Sequence, residues 1–328
     1  MFAAIGSSAR NVDKSNFGKV DSSVMRIGPM NNYMLKQIVD AVTAGKSKQA
    51  DRARAIYAWV AFYIDYDCRA HHHPKQRNNS ASHALINRKT TYEGYANLYK
   101  TMCELAQIKC EVITGFAKYT PENIGLVNEK NMHAWNAILI DDTWYPVDAT
   151  WGAGQTDSKV KSFTKTYNGA WFLADKELFA LSHYPINKKW QMLDTPFNKA
   201  AFSISPIIGP AAIANEVYPV VMRGKIRGRA DTSKKVAFEV DNPLLVRSVS
   251  VSYKYREIAP VPFTIEDNYL YVDIPFEKAG KYPVNIYINE SLAYIYNADV
   301  AEPIKRPKPK PVPIRTEPVK RSPVRGAG

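Results

Sequence analysis

Two residues of proton-moving type stand where neighbouring strands would bring them together. His133 opens the apolar run Asn131-Met132-His133-Ala134-Trp135-Asn136, and Asp148 lies toward the end of the next one, Trp144-Tyr145-Pro146-Val147-Asp148-Ala149-Thr150-Trp151-Gly152. Asp141-Asp142 between the runs has the composition of a two-residue hairpin turn. The strands predicted over 132–140 and 143–149 therefore pair, and the two side chains can meet across the sheet. An imidazole oriented by a carboxylate is the proton-transfer half of a nucleophilic site. Upstream, Arg88-Lys89-Thr90-Thr91-Tyr92-Glu93-Gly94-Tyr95-Ala96 heads a run that keeps a helical period through Ala96, Leu98, Tyr99, Met102 and Leu105. A helix start, then a His on one strand, then an Asp on its neighbour is an order in which nucleophile–His–Asp sites are assembled.

These stretches together resemble the transglutaminase-like superfamily. The closer match is its kyphoscoliosis-peptidase-like branch, in which Cys-x-Gly-Tyr-Ala, His-Ala-Trp-Asn and Val-Asp-x-Thr-Trp-Gly recur. The likeness covers about residues 50–195, from the Arg52–Val60 helix to His183-Tyr184-Pro185 and Trp190-Gln191-Met192-Leu193. It implies a papain-like core in which a Cys at the first helical turn attacks an amide carbonyl, with His133 as base and Asp148 as its orienter. In that register the nucleophile falls on residue 92, which is Tyr92. A phenol ionises near pH ~10, and its oxygen stands ~6.5 Å from Cα, against under ~3 Å for a Cys sulfur. Thr90 and Thr91 lie beside the position, but their hydroxyls have no thiolate-like tendency to ionise. Cys103 shares the helix face of residue 92 but lies roughly 16 Å along the axis, too far for His133 to serve it.

The resemblance thus implies a catalytically inactive transglutaminase-like protein, a binding or scaffolding module whose former active-site cleft takes a protein or peptide ligand. Thr91, Gly94, Tyr95, Trp135 and Trp151 are the expected cleft-wall and core residues, with no cofactor and no metal. The alternative is a cysteine-peptidase- or transglutaminase-like amide hydrolase or transamidase with an unrecognised nucleophile. His183 and Trp190 are read as packing residues.

The elements around these residues predict an α+β chain: a papain-like core of helices on an antiparallel sheet, a small Ig-like β-sandwich, and a disordered tail. Residues 1–30, rich in Ser, Asn and Gly, read as an extended N-terminal arm. Residues 31–200 form the transglutaminase-like domain, with helices over about 31–44, 47–64, 80–87 and 92–107, strands over 110–119, 132–140 and 143–149, and a later helix over 175–182. From 206 to 300, short β-rich runs with regular turn residues predict the sandwich. Residues 301–328 alternate Pro with Lys or Arg and should stay extended.

That tail holds eight basic residues against two acidic ones, nearly half of the formal charge of +13. The rest of the surface is only mildly basic, which argues against a nucleic-acid binder and leaves the tail as a candidate arm for an anionic polymer or surface. Three cysteines, Cys68, Cys103 and Cys110, have no metal-ligand spacing, and Cys103 and Cys110 read as buried thiols. His71-His72-His73 sits in a polar run expected to be an extended loop whose side chains diverge. No stretch is apolar enough to span a bilayer, and the first residues lack a signal-peptide pattern. A secreted or cell-envelope location is favoured over the cytoplasm, because bacterial members of the branch are often exported.

Overall fold

The computed structural model of the protein describes residues 12–304. The first surprise lies in the segment read as an arm. Helix α1 (Phe17–Ile27) buries Phe17, Val20 and Val24, a three-residue stripe at helical spacing that the surrounding Ser, Lys and Gly dilute below recognition. A buried ion pair fastens it. Asp21 takes both Arg54 Nε (2.8 Å) and Nη2 (2.7 Å), while Arg54 Nη1 donates to Gly169 O at 2.8 Å. The segment from Phe17 onward is thus part of the helical layer. Residues 1–11 lie outside the described residues.

Helices α2 (Leu35–Thr43) and α3 (Gln49–Tyr63) follow close to the expected bounds. Almost every side of α3 is buried, so it is the hub of the layer. Residues 65–80 are not a plain loop. They hold a short helix α4 (Cys68–His72), capped by the Asp67 side chain on Ala70 N, and a 3-10 turn at Pro74–Gln76. Asp67 as a cap and Pro74 at a turn start are the local signals for both. The three histidines bond separately, to Tyr66 Oη, Val160 O and Arg69 O. Helix α5 (Ala81–Asn87) starts on its Ser80 cap. Helix α6 (Tyr92–Leu105) buries Gly94, Tyr95, Ala96, Leu98, Tyr99, Met102 and Cys103.

The sheet beneath is antiparallel. Strand β1 (Cys110–Ala117) pairs with β2 (Met132–Ile140), which pairs with β3 (Thr143–Val147), and β4 (His183–Pro185) closes the other edge of β1. Asp141 and Asp142 both take positive φ, +45° and +60°, the geometry that lets a two-residue turn follow the strand twist. Helix α7 (Ala149–Ala153) begins directly after β3, and α8 (Lys176–Ser182) runs into β4.

Both faces of this sheet are covered. Ile138 and Ile140 pack into the core made by α1, α2, α3 and α6. Ile113, Trp135 and Ala137 share a second core with the C-terminal β-rich region. That region holds a four-stranded sheet, in spatial order 217–219, 232–240, 269–276 and 263–266. A second sheet is built on 225–229, 291–301, 280–288, 249–253 and 256–260, with 207–208 added beside 291–301. Alternation fixes the inner faces: Leu270, Val272, Ile274 and Phe276 are buried on one strand, and Tyr282, Val284, Ile286 and Ile288 on another. Among the described residues of this region all pairings are antiparallel except 225–229 with 291–301, and four strands (207–208, 225–229, 256–260, 291–301) were not predicted. The basic segment from residue 305 lies outside the described residues.

Candidate functional site

Asp148 is the fixed point of the site. As N-cap of α7 it accepts the backbone N–H groups of Thr150 (2.8 Å) and Trp151 (3.0 Å) on Oδ1. Its other oxygen, Oδ2, faces two imidazoles, His133 Nε2 at 2.8 Å and His183 Nε2 at 3.1 Å. The carboxylate is fully buried. Burial alone would raise its pKa, but the facing His133 and the hydrogen bonds from both rings outweigh it and hold the carboxyl well below its usual range. Four hydrogen bonds to one carboxylate leave it little freedom to turn.

The pairing of β2 with β3 puts His133 beside Asp148, as the hairpin predicted. The bond is made through Nε2, which leaves Nδ1 as the other ring nitrogen, without a hydrogen-bond partner among the described residues.

His183, read from sequence as a packing residue, belongs to the site. It is wholly buried, stacks on Phe179 with ring centroids 3.8 Å apart, and meets Trp151 at 4.4 Å and Trp135 at 5.0 Å. Its Nδ1 lies 2.9 Å from Ser182 Oγ. Burial pushes its pKa down to about 4, despite the nearby Asp148, so at neutral pH it is an uncharged ring. An Nε2–H tautomer then donates to Asp148 while Nδ1 accepts from Ser182. The sequence signal was weak, because β4 pairs with β1, and β1 separates it from β2; nothing local ties residue 183 to residue 148.

His133, Asp148 and His183 also offer three metal-ligating atoms within 4.8 Å of one another. The two nitrogens approach one carboxylate oxygen at hydrogen-bond distances, and that contact accounts for the cluster without an ion.

Tyr92 is the first residue of α6, and its ring centroid lies 5.4 Å from that of His133. The phenol oxygen does not bond to His133. It accepts from Arg77 Nη1 at 3.2 Å, and the guanidinium lies 5.5 Å from the ring centroid. Arg77 is in turn held over the site by Ala70 O (3.0 Å) and His71 O (2.5 Å) on the α4 segment. The longer reach of a phenol carries its oxygen past the position a thiol would occupy and into contact with this strap.

The remaining expected residues divide. Trp135 and Trp151 stand around His133, with centroids at 6.3 and 5.6 Å. Thr91 lies next to Tyr92, but its Oγ1 donates to Asn79 Oδ1 at 2.9 Å. Gly94 packs its bare Cα against Thr90: a Cβ there would stand 1.8 Å from Thr90 Oγ1. Tyr95 is not a cleft wall. Three residues on from Tyr92, it points into the α3–α6 core and donates its hydroxyl to Ile64 O at 2.5 Å. None of the three cysteines supplies a thiolate here. Cys103 and Cys110 are buried, and burial drives the Cys110 thiol far up, as it raises that of the half-buried Cys68.

Known proteins resemble the part of the chain that holds Tyr92, His133 and Asp148. Residues 36–149 match the family model of the transglutaminase-like superfamily. Kyphoscoliosis peptidase of Mus musculus is 31% identical over 195 residues, 59% of this chain and 29% of that protein. Kyphoscoliosis peptidase of Homo sapiens is 32% identical over 187 residues, 57% of this chain and 28% of that one. Hillarin of Drosophila melanogaster is 24% identical over 215 residues, covering 60% and 25%. The chain thus spans less than a third of the length of these relatives. A crystal structure of a TGase overlaps 44% of this chain and 35% of its own at 18% identity, with a TM-score of only 0.28. Residues 36–149 of this chain are thus similar to the transglutaminase-like superfamily, and more than half of the chain is similar to part of kyphoscoliosis peptidase.

Proposed function

We propose that this is a transglutaminase-like domain without catalysis, whose cleft binds a protein or peptide segment and does not cleave or crosslink it. One observation carries the reading. The residue at the head of α6 is a phenol held by Arg77, beside a His133–Asp148 pair that is otherwise set for proton transfer. Asp148 also caps α7 and meets imidazoles on β2 and β4, a structural role that needs no catalysis. The C-terminal sheets, of Ig-like texture in their strand spacing, would complete a scaffold.

The intact His133–Asp148 pair also favours one second reading, an amide hydrolase or transamidase with a nucleophile of another kind. A turnover assay separates the two. Wild-type protein, offered a casein-type substrate with and without a fluorescent primary amine, should give no hydrolysis and no amine incorporation above the His133→Ala variant. Turnover that disappears in His133→Ala would overturn the proposal and establish the second reading.

A further inference from the structure

Beside Tyr92, on the outer side of the head of α6, lies a cavity of about 190 Å³. Most of the residues on its wall are polar, Arg69, Arg77, Asn78, Asn79, Thr90 and Thr91 among them, with His73 and His83, although their carbon atoms form much of the surface. The charges on that wall are unevenly matched. Neither arginine has a carboxylate partner among the described residues. Arg77 gives one N–H from each of its three nitrogens to two backbone carbonyls and the Tyr92 hydroxyl, all neutral acceptors, which leaves a second N–H on each Nη. The acid on the wall, Asp67, is engaged in capping α4 through Ala70 N at 2.8 Å. Glu93, just behind, is bonded by the Asn79 amide. Thr90 is 3% exposed and its Oγ1 has no hydrogen-bond partner, a buried polar group at a cost that native interiors rarely bear.

We infer that this cavity is a receptor for an oxyanion group, a carboxylate or a phosphate, gripped by Arg69 and Arg77 and carried by the segment that occupies the adjoining cleft. The guanidinium fork matches the paired oxygens of either anion, and charge-assisted hydrogen bonds of this kind are the strong ones. The volume is more than enough to admit one such group. The inference rests on the reading of the cleft as a peptide receptor for the identity of the carrier, but the anion site itself is tested without it.

The test is a two-dimensional amide NMR titration of the isotope-labelled full chain with sodium acetate and, separately, inorganic phosphate, at ionic strength held constant with chloride. Saturable shifts confined to Asn79, Thr90, Thr91 and the first turn of α6 are expected with at least one of the two, and which one reports the anion preferred. Arg69→Gln alters an exposed side chain without threatening the fold, and should weaken that binding by about tenfold or more. Arg77→Lys keeps the charge but loses the fork, and should weaken it as well. Three results would overturn the inference: no saturable shift with either anion, equal affinity in Arg69→Gln, or shifts scattered over the basic surface. If the wild type proves to be an enzyme while these shifts appear, the anion site stands and the binding-module reading falls. If the wild type is inert and the shifts are absent, the reverse holds.

Discussion

His183 and Asp148 together set the acid stability of the site. The folded pKa of His183 is lowered to about 4 by burial, against about 6.5 for a free imidazole. Between those values the unfolded chain takes up a proton that the folded chain refuses, so stability is lost as pH falls from about 6.5 to about 4. The gap is worth on the order of 3 kcal/mol. Asp148, whose pKa is depressed, adds a loss that begins only as pH falls through the ordinary carboxylate range. Melting temperatures measured from pH 7 to pH 4 should therefore fall more steeply for the wild type than for His183→Gln. Identical slopes would mean that residue 183 is not held neutral. Of these residues, His133 and Asp148 were legible because a short hairpin joins them. Tyr92 was legible only through the resemblance. His183 was missed because its link to Asp148 is tertiary, and Arg77 because a polar run gives no sign of which side chain folds back.

At the scale of elements, the position of residue 92 depends on how closely α6 descends onto the Lys89–Thr90 segment, which pairs with Asp65–Tyr66. Gly94 makes that approach possible, since a Cβ would stand 1.8 Å from Thr90 Oγ1 and 2.8 Å from Thr90 Cβ. Gly94→Ala gains helix propensity but must push Thr90 aside, and overpacking of this kind costs about 1–3 kcal/mol. Denaturant titration should show that loss, and Thr90→Ala in the same chain should recover part of it, since the Cβ–Cβ approach of 2.8 Å remains. If the double variant is no more stable than Gly94→Ala alone, the contact does not set the register. The helices and the central hairpin were readable here because period and turn chemistry agree over long stretches. Helix α1 was not, because its buried apolar residues are only three and its anchor, Asp21 on Arg54, joins residues 33 positions apart. The C-terminal edge strand 225–229 escaped for a related reason: Lys225, Arg227 and Arg229 alternate with Ile226 and Gly228, leaving a single apolar residue to mark it.

Across the whole molecule, the site is enclosed from two sides. The helical layer holds Tyr92 and the α4 strap, while the sheet holds His133, and the sheet face that carries Ile113 and Trp135 packs against the C-terminal β-rich region. Lys118, fully buried just past β1, ties the end of that strand to the 202–205 segment by donating to Phe202 O (2.6 Å) and Ser205 O (2.8 Å). Each half fixes one partner of the would-be pair, and neither needs the chemistry of residue 92 to stay in place. In such a frame, changing a single side chain should rebuild a reactive centre with no backbone movement. The most direct measurement is covalent labelling by an iodoacetamide or vinyl-sulfone reagent, comparing the wild type, Tyr92→Cys and Tyr92→Cys/His133→Ala. The account predicts labelling at residue 92 in Tyr92→Cys alone, slowed at least about tenfold when His133 is removed. Equal, His133-dependent labelling of the wild type would contradict it.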